Sequence, residues 1–188
     1  MGILTGCGNG TWNYLNSYAP THPGSLYNWY YNPALAPVAV DVVALFKMSM
    51  NYAVADSSSC GSYSTNASWS YKGTTAAGAG NINGINVIGW YDIESLGVMT
   101  YIHDGGVMLE ADIRFDTGTA WHATASLPVA SGKYDFLSVA SHEILHAYGL
   151  GHTLNDPDNV MYNFFGAGAG TDRRTKRLGD LYGMHFLN

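Results

Sequence analysis

At 188 residues, with 47% hydrophobic, 13% aromatic and 12% charged residues, the chain is sized for one globular domain. It is too aromatic and too weakly charged for a disordered chain. Eight Lys+Arg stand against 14 Asp+Glu, a net charge of −6. That balance excludes a nucleic-acid binder, and no apolar run reaches the roughly 18 residues of a membrane span. Arg173, Arg174, Lys176 and Arg177 form the visible basic cluster and read as a solvated helix flank.

Residues 1–25 mix Gly, Asn, Ser, Pro and Tyr and read as an irregular lead-in. Leu26 to Tyr31 is an aromatic strand candidate, stopped by Asn32-Pro33. From Pro37 the apolar positions Val38, Val42, Leu45, Phe46 and Met50 recur at helical spacing, predicting a helix to about Val54. A Ser/Gly-rich loop spans 56–66, and Ser68 to Tyr71 alternates as a strand. After a Gly/Ala/Asn linker, Ile85 to Trp90 is a compact strand expected to be buried on both faces. Val98–Ile102 and Val107–Phe115 are strands around His103-Asp104-Gly105-Gly106, a hairpin turn. Asp135 is a natural N-cap for a helix to about Tyr148, ended by Gly149 and Gly151. A last amphipathic helix is predicted from about Arg173 to Phe186.

Cys7 and Cys60 leave three readings open: one disulfide of an extracellular protein, two free thiols, or a thiol with a function. A secreted protein is expected, although Met1-Gly2-Ile3-Leu4 lacks the features of a signal peptide. Leu4-Thr5-Gly6-Cys7 is faintly similar to a bacterial lipoprotein cleavage box. Asn9-Gly10-Thr11 and Asn66-Ala67-Ser68 are glycosylation sequons in a eukaryotic secretory route.

The most informative stretch is His142-Glu143-Ile144-Leu145-His146-Ala147-Tyr148-Gly149-Leu150-Gly151-His152, an HExxHxxGxxH pattern. Its chance occurrence at this composition is on the order of 10⁻⁵. On a helix, positions four apart lie about 40° apart around the axis and ~6 Å along it, so His142 and His146 point at one metal. Glu143 flanks that face, in reach of a reacting water. Gly149 reverses the chain and brings His152 to a third ligand position. Three neutral imidazoles with an open position suit catalytic zinc. A closed structural zinc site would need a fourth ligand, and none is evident. His22, His103, His122 and His185 lie outside any ligand spacing.

This segment resembles the metzincin zinc endopeptidases, and Asn159-Val160-Met161-Tyr162 is similar to their Met-turn. The resemblance is closest to the matrixins, the matrix metalloproteinase-like catalytic domains, and to their small bacterial members. Thr153 stands near the matrixin Ser. Glu110-Ala111-Asp112-Ile113-Arg114-Phe115-Asp116, then Trp121, resembles the matrixin strand before the active-site helix. Arg177-Leu178-Gly179-Asp180-Leu181-Tyr182-Gly183-Met184 resembles the C-terminal helix.

The resemblance implies an α+β metzincin (zincin-like) fold: a twisted five-stranded mixed sheet with three helices. A cleft would separate a larger N-terminal lobe (26–149) from a smaller C-terminal lobe (150–188), all within one catalytic domain, 1–188. The strand at Val98–Ile102 would run antiparallel along the cleft edge and pair with an extended protein or peptide substrate. His142, His146 and His152 would ligate Zn2+, Glu143 would act as general base and acid, and Met161 would floor the imidazoles. Tyr162 would line the pocket for the residue after the scissile bond. Ser138, being small, would leave that pocket deep and apolar in preference. A monomer is expected.

Departures from the pattern matter too. Arg114 and Thr100 stand where the animal members carry ligands of a second, structural zinc, so none is expected. Asp112 and Asp116 leave Ca2+ open, with Thr119 where an acidic partner would help. Only Asp180 remains of an adjacent Asp pair, placed to hydrogen-bond near the Met-turn. Asn163 replaces a switchable Tyr ligand of other metzincins. Cys7 lies about 20 residues before Tyr27, where a propeptide cysteine would block zinc. Two other functions remain: a zinc-binding metzincin-like module with a binding rather than catalytic role, and a catalytic part of a larger protein.

Overall fold

The computed structural model describes residues 7–15, 26–37, 41–168 and 173–188. In chain order these form β1 (Asn13–Tyr14), β2 (Leu26–Tyr31), α1 (Val42–Val54), β3 (Ser57–Ser58), β4 (Gly61–Ser62), β5 (Ser68–Thr74) and β6 (Asn86–Tyr91). Then come β7 (Gly97–Asp104), β8 (Val107–Asp116), β9 (Trp121–His122), β10 (Tyr134–Asp135), α2 (Phe136–Ala147), β11 (Leu150–Gly151) and α3 (Leu178–Leu187). The main sheet has the order β5-β2-β6-β8-β7. Its pairs are parallel except β7 with β8, so β7 is an antiparallel edge strand, as expected. The fold is the α+β, mixed five-stranded arrangement with three helices that the resemblance implies.

Local sequence explains these elements. In β2, Tyr27, Trp29 and Tyr31 point to the core while Leu26, Asn28 and Tyr30 alternate outward. β6 is buried along almost its whole length because strands pair on both sides of it. Gly105 (φ 54°) and Gly106 (φ 84°) close the β7–β8 hairpin in the left-handed region that a two-residue turn demands. α1 begins at Val42, where the Asp41 carboxylate accepts from Ala44 N, rather than at Pro37. The expected helical position Val38 lies outside the described residues. Helix α1 buries Val42, Leu45, Phe46, Met50 and Ala53 against the sheet. Phe46 stands 4.8 Å from Trp29 ring to ring, and truncating it to Ala would cost about 3–5 kcal/mol.

Three expectations need correction. The 56–66 loop contains the β3–β4 ribbon, with Ser58 opposite Gly61. The last helix starts at Leu178, because Arg177 N is capped by the Asp180 carboxylate at 2.9 Å. The basic cluster is not a solvated flank: Arg174 and Lys176 are 8% and 2% exposed. Arg174 is paired with Asp135, and Lys176 donates to Ala53 O at 2.6 Å.

Cys7 is disulfide-bonded to Cys60, with Cα atoms 5.3 Å apart beside buried Leu181. A metal-blocking thiolate and a lipid-bearing cysteine both need a free Cys7 sulfur, so neither reading fits this bond. From Cys7 the chain follows α3, where Cys7 O accepts from Leu178 N, and reaches β11. There β1 pairs antiparallel, Asn13 opposite Gly151 and Tyr14 opposite Leu150.

Candidate metal centre

Helix α2 is buried at every position and packs against α1 and the sheet. Asp135 caps it by accepting from Ser138 N at 3.0 Å. One turn apart on its cleft-facing side stand His142 and His146, 3% and 8% exposed. Gly149, at φ 97°, ends the helix in a conformation that side chains other than glycine rarely adopt. The two residues of β11 then carry the chain to His152, which is exposed.

Hydrogen bonds fix which ring nitrogens converge. His142 Nδ1 lies 2.8 Å from Val160 O, and His146 Nδ1 lies 2.6 Å from Leu150 O. A carbonyl accepts only, so both Nδ1 atoms carry the proton and both Nε2 atoms present lone pairs. His152 Nε2 is 3.1 Å from His146 Nε2 and 3.0 Å from His142 Nε2. Tetrahedral zinc with Zn–N bonds near 2.05 Å would separate its nitrogens by about 3.3 Å. The three imidazoles therefore fit a metal ion, and among the described residues they form such a group. Burial pushes all three below the usual imidazole range, His146 to about 4, which keeps them neutral and ligand-competent.

Glu143 is 6% exposed and takes no part in that nitrogen cluster. Its carboxylate accepts from the backbone N–H of Met99 on edge strand β7, which pulls its pKa down, but burial dominates and pushes it up to about 8. Gly97 makes room for this approach: a Cβ there would lie 3.0 Å from Glu143 Cγ.

Met161 is 1% exposed in a tight turn with Tyr162 N donating to Asn159 O. Asp180 of α3 holds the turn from below, accepting from Val160 N at 2.9 Å and Met161 N at 3.2 Å. Met161 O in turn accepts from Thr153 N at 2.8 Å, next to His152. The turn is thus bonded to the segments of two ligand histidines. Burial holds Asp180 up at about 6 despite its three backbone donors.

These features occupy one stretch of chain. Residues 94–184 match the matrixin family model. The chain carries a matrixin-like domain. Two relatives agree: feline matrilysin is 37% identical over 71 residues, 38% of this chain and 25% of that protein. Human matrilysin is 38% identical over 63 residues, 34% of this chain and 21% of that protein. The matched part thus spans a quarter or less of either relative. At the family level these matches support a zinc metalloendopeptidase.

Two hollows flank the imidazoles of the matrixin-like domain, and both are lined by Gly97, Glu143 and His152. One is completed by Val139, Asn163, Phe164 and Phe165; the other by Tyr14, Leu15, Val98 and Met99. Ser138 and Tyr162 are not among these linings. Ser138 Oγ donates to Asp135 Oδ2 at 2.6 Å and accepts from Arg173 N, and Tyr162 lies under the Arg173 guanidinium at 5.0 Å. Phe165, unforeseen from the sequence, stands 5.2 Å from the His142 ring.

The other candidate ligands are elsewhere. Asp112 accepts from Gly80 N and Val87 N, and burial still pushes it up to about 6. Asp116 accepts from Thr119 Oγ1 at 2.6 Å, the bond that leads in lowering its pKa. Arg114 lies against Gly80 and the Tyr91 ring. His122 bonds Ser126 O, His185 bonds Ser64 O and His103 stacks on Tyr101. His22 lies outside the described residues.

Proposed function

We propose that this chain is a secreted zinc-dependent endopeptidase that hydrolyses internal peptide bonds of extended protein substrates. The observation that carries the proposal is the convergence of three Nε2 atoms beside a buried carboxylate, at the edge of a sheet. The cysteine pairing supports an oxidising compartment.

His142, His146 and His152 would hold the zinc, and Met161 would pack beneath them. When bound, zinc supplies Lewis acidity, polarising the scissile carbonyl and acidifying water. A substrate strand adds to β7, whose outer side has no strand neighbour among the described residues, by main-chain hydrogen bonds that ask little of its sequence. Glu143 faces the same edge through the Met99 N–H. In its carboxylate form Glu143 would take a proton from the attacking water. The water oxygen bonds to the carbonyl carbon, the C–N bond breaks, and Glu143 returns the proton to the leaving amine. The hollow lined by Val139, Phe164 and Phe165 suits an apolar side chain after the scissile bond.

The test is cleavage of casein and gelatin by the zinc-loaded chain, beside Glu143→Ala and a chelator control. Glu143→Ala should retain zinc and lose about 10²–10⁴-fold in rate. Zinc binding without cleavage by wild type would instead support a binding module.

A further inference from the structure

Residues 11–15 arrive at the metal centre from outside the sheet, on a surface shaped to receive them. A Cβ on Gly179 would lie 2.0 Å from Thr11 O, and one on Gly151 would lie 2.1 Å from Tyr14 O. On Gly183 it would press on the Trp12 ring at 3.1 Å. Three glycines on α3 and β11 thus leave the track in which this segment lies. Side-chain and backbone bonds fasten it there. Asn159 Nδ2 donates to Thr11 O at 2.9 Å, Asn13 Nδ2 to His152 O at 2.7 Å, and Leu15 N to Gly149 O at 2.8 Å. The Cys7–Cys60 bond and the Asn9 N–Asp156 contact anchor its beginning.

The segment ends where Tyr14 and Leu15 form one wall of a hollow whose other wall is Val98 and Met99. Antiparallel addition, the sense in which β7 itself joins β8, would assign that hollow an end of the substrate. A peptide antiparallel to β7 runs from Met99 toward Gly97. Its residues before the scissile bond then lie between Val98–Met99 and the strap. Those after the bond lie toward Ser95–Leu96 and the second hollow.

We infer that Tyr14 and Leu15 are specificity-determining residues that select an apolar side chain on the N-terminal side of the scissile bond. This rests on the peptidase reading for its substrate class. Among the described residues the lining holds no cationic side chain, and Leu15, Val98, Met99 and the Tyr14 ring are its apolar part, so an acidic side chain beside them would lose water without gaining a side-chain partner. Tyr14 is 45% exposed, and its ring rests against Trp12 at 5.0 Å and Phe186 at 6.2 Å, so the melting temperature of the variant is measured beside its cleavage profile.

The experiment compares the zinc-loaded wild-type chain with Tyr14→Arg on a peptide library varied on both sides of the bond. Wild type should favour Leu or Met over Glu before the bond. Tyr14→Arg should shift that ratio toward Glu by about fivefold, with preferences after the bond unchanged and a melting temperature that leaves the variant folded under assay conditions. An unchanged profile, or equal change on both sides, overturns the assignment while leaving the peptidase reading standing. Should wild type fail to cleave, the same peptides are titrated onto the zinc-loaded Glu143→Ala chain with and without Tyr14→Arg. A fivefold gain for the Glu peptides then supports the wall while the peptidase reading falls, and no gain overturns the wall.

Discussion

Replacing Arg174 by Met tests how the metal-bearing helix is held. Arg174 and Asp135 are 8% and 1% exposed. Arg174 Nε donates to Asp135 Oδ2 at 2.9 Å, Nη2 to Oδ1 at 2.6 Å, and Nη1 to Ala125 O at 2.7 Å. Methionine keeps much of the volume but leaves the Asp135 charge buried with only its Ser138 donors. Breaking one side of a buried pair costs about 3–5 kcal/mol. At this chain length each kcal/mol moves the melting temperature by about 2–4 °C, so a fall of roughly 6–20 °C is expected by calorimetry. Arg174→Lys keeps the charge without the fork and should fall about half as far. Adding Asp135→Asn to Arg174→Met should recover part of the loss, because it removes the stranded charge. A single variant melting within about 2 °C of wild type, or a double variant without recovery, would refute the reasoning.

Replacing Cys7 and Cys60 by Ser removes a cross-link between residues 53 apart, worth about 4 kcal/mol of chain entropy. Denaturant titration should show that loss, and equal midpoints would exclude it. Glu143→Gln should change the pH dependence of the chelator-treated protein. The Glu143 pKa is pushed up to about 8, above its ordinary 4.5, so the folded chain holds this proton more tightly. Its contribution to stability is present below about 4.5 and is lost as pH rises through about 8. Melting temperatures of variant and wild type should therefore converge near pH 5 and separate near pH 8, the variant being higher. A constant gap would show that the carboxyl does not titrate in this range.

Features set by neighbours in sequence were legible. The spacing of His142, His146 and His152, the Asp135 cap, the Gly149 stop and the Gly105-Gly106 turn each follow from local geometry, and the structure contains all of them. The aromatic run Leu26 to Tyr31, stopped by Asn32-Pro33, located β2 to the residue. What escaped depends on contacts between distant residues. Asn13 meets His152 across 139 positions, so nothing near Asn13 announces a strap. Gly179 and Gly183, unusual inside a helix, were the available signal of a close approach. Arg174 looked solvated because charge density alone was visible, while its partner lies 39 residues away. One helical step of about 100° separates Ser138, turned to Asp135, from Val139 in the hollow.

The acceptors behind His142 and His146 are backbone carbonyls of Val160 and Leu150, not carboxylates. A carboxylate behind a ligand imidazole pushes electron density toward the metal and offsets its charge; a neutral carbonyl does so far less. Among the described residues, Glu143 is the only acidic group lining either hollow. A dication held here keeps a net positive field even with Glu143 ionised. On the peptidase reading, the carboxylate that each cut would create forms on the centre itself rather than in the hollow beside it, so the fragment ending at the new C-terminus would leave more slowly than the one carrying the new amine.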